Sequence, residues 1–220
     1  MSIKIILYFL KKQNIIHLIV NSYGNYMKKI LIIDANPSKF SYTSCLAEEY
    51  EINAKKSGFE VEIIALRDLV FDPILHFGYN RIQKLEPDLE RAQELIKWCE
   101  HLVIVSPVWW YSMPALLKGF IDRVFLPGFA FNVVSSPKRK LTKMLGDKTA
   151  TVIYTYGGPK HNMGNSCKDP FGLQLKQGLL YFCGFKNIKT YPFYETIGFK
   201  NIRRRSYFIE EVIKLGKQGK

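Results

Sequence analysis

Acidic residues are scarce in this chain: 19 Asp and Glu stand against 32 Lys and Arg, a formal net charge of +13 over 220 residues. Such an excess raises the question of a nucleic-acid partner, and its distribution answers it. Residues 1–29 hold five Lys and no acid, and residues 200–220 hold seven Lys or Arg against two Glu. The middle, residues 30–199, carries twenty basic and seventeen acidic side chains and is nearly balanced. The excess therefore belongs to the two ends, and no basic stretch interleaved with aromatics reads as a nucleic-acid binder. Solvated basic ends are the simplest account, and contact with an anionic membrane surface is the alternative.

Cysteine is scarce as well. Of the four, Cys45, Cys99, Cys167 and Cys183, none forms a CxxC and none pairs with a His at zinc-ligand spacing, which excludes the usual metal motifs. Cys45, Cys99 and Cys183 lie in apolar or helical surroundings and read as small core residues. A reducing cytoplasm suits all four, and nothing supports a structural disulfide.

Long apolar runs are missing too. Within residues 1–26 two apolar pieces, IIL-YFL and IIHLIV, are split by Lys11, Lys12, Gln13 and Asn14. Neither approaches the roughly 20 residues that a membrane span needs. No small-residue cleavage site follows, which argues against a signal peptide. The simplest expectation is an extension outside the core fold at 1–26, with a second start at Met27 and one domain over 27–220. An interfacial anchor, or an extra element packed on the domain, are the alternatives.

What is present from Lys29 onward is alternation. KILIIDA (29–35), VEIIAL (61–66), HLVIVS (101–106), TATVIYT (149–155) and NIKTYPF (187–193) are short runs rich in aliphatic and β-branched residues. The first is apolar throughout, as expected of a strand buried on both faces. Pro192 suits an edge. Between these runs lie helical stretches: 41–57 with Gly58 as its stop, 87–99 opened by Pro87, 114–125, 170–182, and RRRSYFIEEVIKLG near the end. Residues 67–86 read as a long loop. The pattern predicts an α/β fold, a doubly wound five-stranded parallel sheet in three α/β/α layers. Such sheets bind ligands outside the carboxyl ends of the strands, where strand order reverses.

Three loops should sit there. DANPSKFSYT has neither GxGxxG nor GxxxxGK[ST], so it is not a dinucleotide fingerprint or a Walker loop. Its Asn36, Ser38, Ser41, Thr43 and Ser44 run into a helix, where hydroxyls and helix-start amides can hold a phosphate or can merely cap the helix. SPVWWYSMP places Trp109, Trp110 and Tyr111 side by side. Three consecutive rings fit neither strand nor helix burial, so at least one should face something flat other than the core. TYGGPKHNMGN offers paired glycines that permit a close backbone approach or form a tight turn.

Four blocks, DANPSKFSYT, SPVWWYSMPALLKGFIDRVFLPGFAF, YTYGG and LLYFCGF, occur in an order and spacing that resemble the flavodoxin-like NAD(P)H:quinone oxidoreductases. The resemblance covers about residues 28–200. It implies a bound flavin, FAD rather than FMN, with NAD(P)H as co-substrate, a quinone-like acceptor, and a homodimer sharing its active sites. It also implies that Asn36, Ser38, Ser41, Tyr42 and Thr43 hold the flavin phosphate. Pro107, Val108, Trp109 and Trp110 would lie along the isoalloxazine, and Thr155, Tyr156, Gly157 and Gly158 would meet its polar edge. Trp110 and Tyr111 would face the substrate, with Tyr156 near the reacting face. Arg203 to Arg205 read as a solvated helix start or as contacts to a pyrophosphate. The loop after the glycines lacks the Tyr that relatives pair with a His as a proton relay. Its one His, His161, follows Gly158 by three residues and is a candidate proton donor or a solvated loop residue. Some relatives are ancillary subunits regulating membrane potassium-efflux systems, which is the alternative function. A flavodoxin-type electron carrier would be acidic and would lack the LLKGFIDRVF helix.

Overall fold

The structure, a computed structural model, describes residues 27–134, 140–160 and 169–220. The expected extension at 1–26, and with it His161 and Cys167, lies outside the described residues. Five parallel strands form the central sheet: β1 (Lys29–Asp34), β2 (Glu60–Ala65), β3 (His101–Pro107), β6 (Thr149–Thr155) and β7 (Lys186–Phe193). Their order is β2-β1-β3-β6-β7. The chain winds outward from β1 to β2, then crosses back to add β3 on the other side. The reversal point therefore lies between β1 and β3.

Strands β1 and β3 are buried along nearly their whole length, which is why they read as unbroken apolar runs. Alternate side chains feed two cores. Ile30, Ile32, Val103, Val105 and Ile153 pack under α1 (Tyr42–Lys56) and the C-terminal helix α5 (Ile202–Gln218). Leu31, Ile33, Leu102, Ile104 and Val152 pack under α2 (Pro87–Trp98), α3 (Ala115–Val124) and the helical segment after Asp169. Pro192 does lie on an edge strand, paired with Tyr154.

Two features depart from the expectations. An antiparallel hairpin, β4 (Phe131–Val134) with β5 (Lys140–Lys143), stands apart from the sheet. Its strands are four residues each, too short to leave a period-2 pattern. The stretch 170–182 is one turn of α-helix, α4 (Pro170–Leu173), followed by a π-helix over Gln174–Tyr181. Hydrophobic spacing does not separate these windings, because Leu175, Leu179 and Leu180 reach the core in either.

The long loop between β2 and α2 is fixed by α3. Arg123 is fully buried, and its guanidinium donates to the carbonyls of Asp72 and Lys84 (3.0 Å for Lys84) and pairs with Glu86 at 2.9 Å. One turn earlier, Gly119 lets Pro73 press against the helix. A Cβ there would lie 2.7 Å from the Pro73 carbonyl oxygen and 2.9 Å from its Cα, distances that rigid backbone cannot accommodate. The LLKGFIDRVF block is thus a clamp for residues 72–86. Gly119→Ala should lower stability by about 1–3 kcal/mol, the usual penalty for overpacking, as read by urea denaturation.

At the amino end of the sheet His101 is buried, with Nδ1 2.7 Å from Thr149 Oγ1. Burial, with the Lys28 charge adding to it, pushes the imidazole down to about 3. The unfolded chain gains a proton on this ring below about 6.5 and the folded chain does not. Stability from this group is complete above that value and is lost as pH falls toward 3, at up to ~1.4 kcal/mol per unit. Between pH 7 and pH 5, His101→Gln should lose about 2 kcal/mol less than the parent in urea titrations.

Candidate active site

The carboxyl ends of β1, β3 and β6 are adjacent, so their three loops meet on one rim. Ala35 N donates to Val105 O at 2.9 Å, and Val108 N to Thr155 O at 2.9 Å. These bonds extend the sheet pairing past the strand ends and fix where each loop departs.

The first loop is wired by its own polar groups. Asp34 Oδ1 accepts from Asn36 N (3.1 Å), Asn36 Oδ1 accepts from Ser38 N (2.9 Å), and Asn36 Nδ2 donates to Thr43 Oγ1 (3.0 Å). Ser41 is the N-cap of α1, accepting from Ser44 N at 3.1 Å. Asn36 and Thr43 are buried, whereas Ser38 is exposed and Ser41 half-buried. The first two side chains therefore shape the turn, and so does Ser41, whose hydroxyl donates to Ser44 Oγ at 2.9 Å; Ser38, with the amides of the first helical turn, is available to an anion. The Tyr42 hydroxyl is committed elsewhere: it donates to Arg205 O at 2.9 Å, and the Arg205 guanidinium lies 6.0 Å from its ring centroid. Tyr42 ties α5 to the loop and offers a ligand its backbone only. Arg203 and Arg204 are exposed, and Arg204 is paired with Glu195.

The aromatic loop makes a two-residue hairpin turn. Trp109 N donates to Ser112 O (3.1 Å) and Ser112 N to Trp109 O (2.9 Å). The two residues between them, Trp110 and Tyr111, both have positive φ, 52° and 58°. A turn of this geometry favours Asn-Gly. Two bulky aromatics there hold strain of order 1 kcal/mol each. They are also exposed, Trp110 by 98% and Tyr111 by 43%. Strained backbone and wet aromatic surface at one turn both point to a ligand. A cavity of about 300 Å³ lies against it, lined by Val108, Trp110, Tyr111, Tyr156, Gly157, Gly158 and Pro159. The aromatic and glycine loops thus come together as expected. Pro107 and Thr155 are buried behind them, and Trp109 is half-exposed outside the cavity lining.

Behind the cavity stands a cluster that the sequence did not announce. Asp169 accepts from the Tyr154 hydroxyl at one oxygen, and from Tyr156 (2.8 Å) and Gly172 N (3.2 Å) at the other. It caps α4 from the left-handed region, φ 50°. Burial, reinforced by the Asp169 carboxylate, holds both phenols well above their ordinary range, so they stay protonated. The Tyr156 ring stacks on Tyr194 at 5.0 Å and faces Tyr111 at 6.3 Å. Asp169-Pro170 does read as a helix start, but its tyrosine partners are fifteen and thirteen residues away and no local pattern links them. Ser112 Oγ donates to Gln174 Oε1 at 3.1 Å, tying the aromatic turn to the π-helix.

Three adjacent strand-end loops, one rich in hydroxyls at a helix start, describe a recognised arrangement. A family profile for the flavodoxin-like fold matches residues 28–212. The chain belongs to this flavodoxin-like family. Among curated relatives, ribosyldihydronicotinamide dehydrogenase [quinone] of Rattus norvegicus is 27% identical over 183 residues, 72% of this chain and 78% of that protein. Among solved structures, Smu.1420 of Streptococcus mutans is 27% identical with a TM-score of 0.72, covering 86% of this chain and 99% of that one. An NAD(P)H:quinone oxidoreductase of Methanothermobacter marburgensis shares the flavodoxin-like fold at TM-score 0.73 and 19% identity, over 89% and 100% of the two chains.

The strained turn gives a test. Replacing Trp110-Tyr111 by Asn-Gly should raise stability by about 1–2 kcal/mol, since both positions then suit the turn. The same change should weaken binding of a flat ligand in the cavity. A thermal melt and a ligand titration read the two effects in opposite directions.

Proposed function

We propose that this chain is a flavin-dependent NAD(P)H oxidoreductase that passes hydride from NAD(P)H to a quinone or similar flat electrophile. The two partners would use one cavity in turn, a ping-pong sequence. The observation that carries this reading is the cavity between the strained Trp110-Tyr111 turn and the Gly157-Gly158 backbone, on the same strand-end rim as the hydroxyl-rich helix start at Ser41. The residues present fit a flavin. The donor set of the first loop suits a phosphoester, and the cavity walls are flat rings on one side and bare backbone on the other. We assign FAD, with FMN the alternative, and a cytoplasmic setting. Among the described residues no helix is long and apolar enough to cross a membrane.

A bound flavin supplies the hydride chemistry. The chain's part is placement. Ser38 and the first-turn amides of α1 would hold the phosphate, with Ser41 joining them if its hydroxyl turns from Ser44, and Asn36 and Thr43 keep that turn in shape. Val108, Trp110 and the strand-end Pro107 would line the ring, with Trp109 at its margin. Gly157 and Gly158 admit the ring edge, and Thr155 backs them. Tyr111 and Trp110 close the substrate side and exclude water. Tyr156 keeps its proton at Oη, directed to Asp169, so its contribution is a fixed ring wall. His161 stands as the candidate donor.

A second copy of the chain suits the face beside the aromatic turn. A groove of about 880 Å³ there is lined by Met113, Ile121, Phe131, Leu179 and Phe182, with Ser112 of the turn at its margin. This supports a homodimer whose contact surface adjoins the active site, checked by sedimentation velocity.

Freshly purified protein should be yellow, release a flavin on heating, and give parallel double-reciprocal lines with NAD(P)H and a quinone. Gly157→Val should displace the exposed Ile197, whose Cδ1 lies 2.6 Å from the new Cβ position. The bulk then also crowds the ring edge. The variant should melt near the parent temperature yet bind flavin at least about tenfold more weakly, ~1.4 kcal/mol. A yellow Gly157→Val protein with normal flavin content would refute this placement of the glycine loop.

A further inference from the structure

Arg67, in the short turn that follows β2, is the strongest group outside the residues already assigned. It has no counterpart in the motifs read from the sequence. Its side chain is 14% exposed and reaches across to the phosphate-loop region. Its partner Asp34, the last residue of β1, is 3% exposed, and Nη1 meets Asp34 Oδ2 at 2.5 Å. The same nitrogen lies 3.2 Å from Ser44 Oγ and 3.4 Å from the Asn36 carbonyl oxygen. Ser44 in turn donates to Ser38 O at 3.3 Å and accepts from Ser41 Oγ at 2.9 Å. One guanidinium therefore holds both ends of the Asn36–Ser44 turn and the strand end that launches it.

Arg67 does this from behind. It borders a polar recess of about 420 Å³ with Asp34, Asp68, Asp88 and Arg91, a lining in which neither Ser38 nor Ser41 takes part. The cation is thus matched to Asp34 rather than offered to a ligand. The turn's one cation is the exposed Lys39 at its tip; its other donors to an anion are amides and hydroxyls, and such dipoles are effective only when already aimed. A loop that must first be ordered loses affinity by that ordering.

We propose that Arg67 is a positioning residue for phosphate recognition. Locked to Asp34, it holds the Asn36–Ser44 turn so that its amides and hydroxyls meet the phosphate on the flavin's ribityl chain, common to FMN and FAD, in a fixed array. The inference rests on the proposed flavin site and deepens it. It requires that the affinity gained from the phosphate group depend on a side chain that does not touch the phosphate.

The test uses protein freed of endogenous flavin and titrated with FMN and with riboflavin, which lacks the phosphate, by fluorescence quenching. Two variants are needed because Arg67→Met leaves Asp34 buried without its partner. The double variant Asp34→Asn/Arg67→Met removes both charges together and keeps an acceptor for Asn36 N. We expect the parent to prefer FMN. Both variants should lose at least about tenfold in FMN affinity while riboflavin affinity stays within twofold, and Arg67→Lys should recover part of the preference. A double variant that keeps the parent's ratio of FMN to riboflavin affinity would overturn the assignment and leave Arg67 a strut of the sheet. A parent protein that binds both flavins equally would overturn the phosphate-loop reading and Arg67's role with it. A parent that binds neither would remove the flavin site altogether.

Discussion

Parallel strand pairing with both faces covered is the constraint from which the rest follows. Parallel ladders require crossover connections, so each helix returns the chain to the same starting edge and each loop leaves from the same finishing edge. The order β2-β1-β3-β6-β7 makes the crossovers diverge between β1 and β3, and a crevice opens there without any residue being chosen to make it. The apolar interior of β1 and β3 serves stability and also carries three chemically different loops to one rim.

On that rim, ordinary rules of local structure are broken where a ligand would sit. Trp110 and Tyr111 occupy backbone conformations that suit glycine and asparagine, and Asp169 caps a helix from the left-handed region. Each departure is held by neighbours. The Trp109–Ser112 pair closes the turn, Gln174 grips Ser112 from the π-helix, and two phenols fix the Asp169 carboxylate. Strain persists when the surroundings over-determine it, and here the surroundings come from strand β6 and the two crossovers on either side of it. The site is thus preorganised by distant parts of the chain rather than by the loops alone.

The sequence was legible wherever a local period or cap decided the outcome. Strand β6 was read to its exact ends, and the helix capped by Ser41 and stopped at Gly58 to within a residue, because unbroken apolarity, an N-cap and a left-handed glycine are local signals. The three loops were found because strand ends follow from strands. What escaped is non-local or too short. Arg67 reads as one more basic residue until the sheet brings it to Asp34, and Asp169 reads as a helix start until two tyrosines on β6 and just past its end turn toward it. The β4–β5 hairpin is too brief to show alternation, and a π-winding keeps the same residues inward. The bond from the Tyr42 hydroxyl to Arg205 O is equally invisible in the sequence, because the two residues lie 163 positions apart.

Both borders of the sheet are closed to growth. At one, β2 shows solvent the carboxylates of Glu60 and Glu62; at the other, β7 offers Pro192, which has no amide hydrogen, among exposed lysines 186 and 189. A sixth strand contributed by another molecule would meet repulsion or a missing donor on either flank. Edge-to-edge pairing of sheets is thus disfavoured among the described strands, which leaves side-chain surfaces as the places where a second molecule would be recognised.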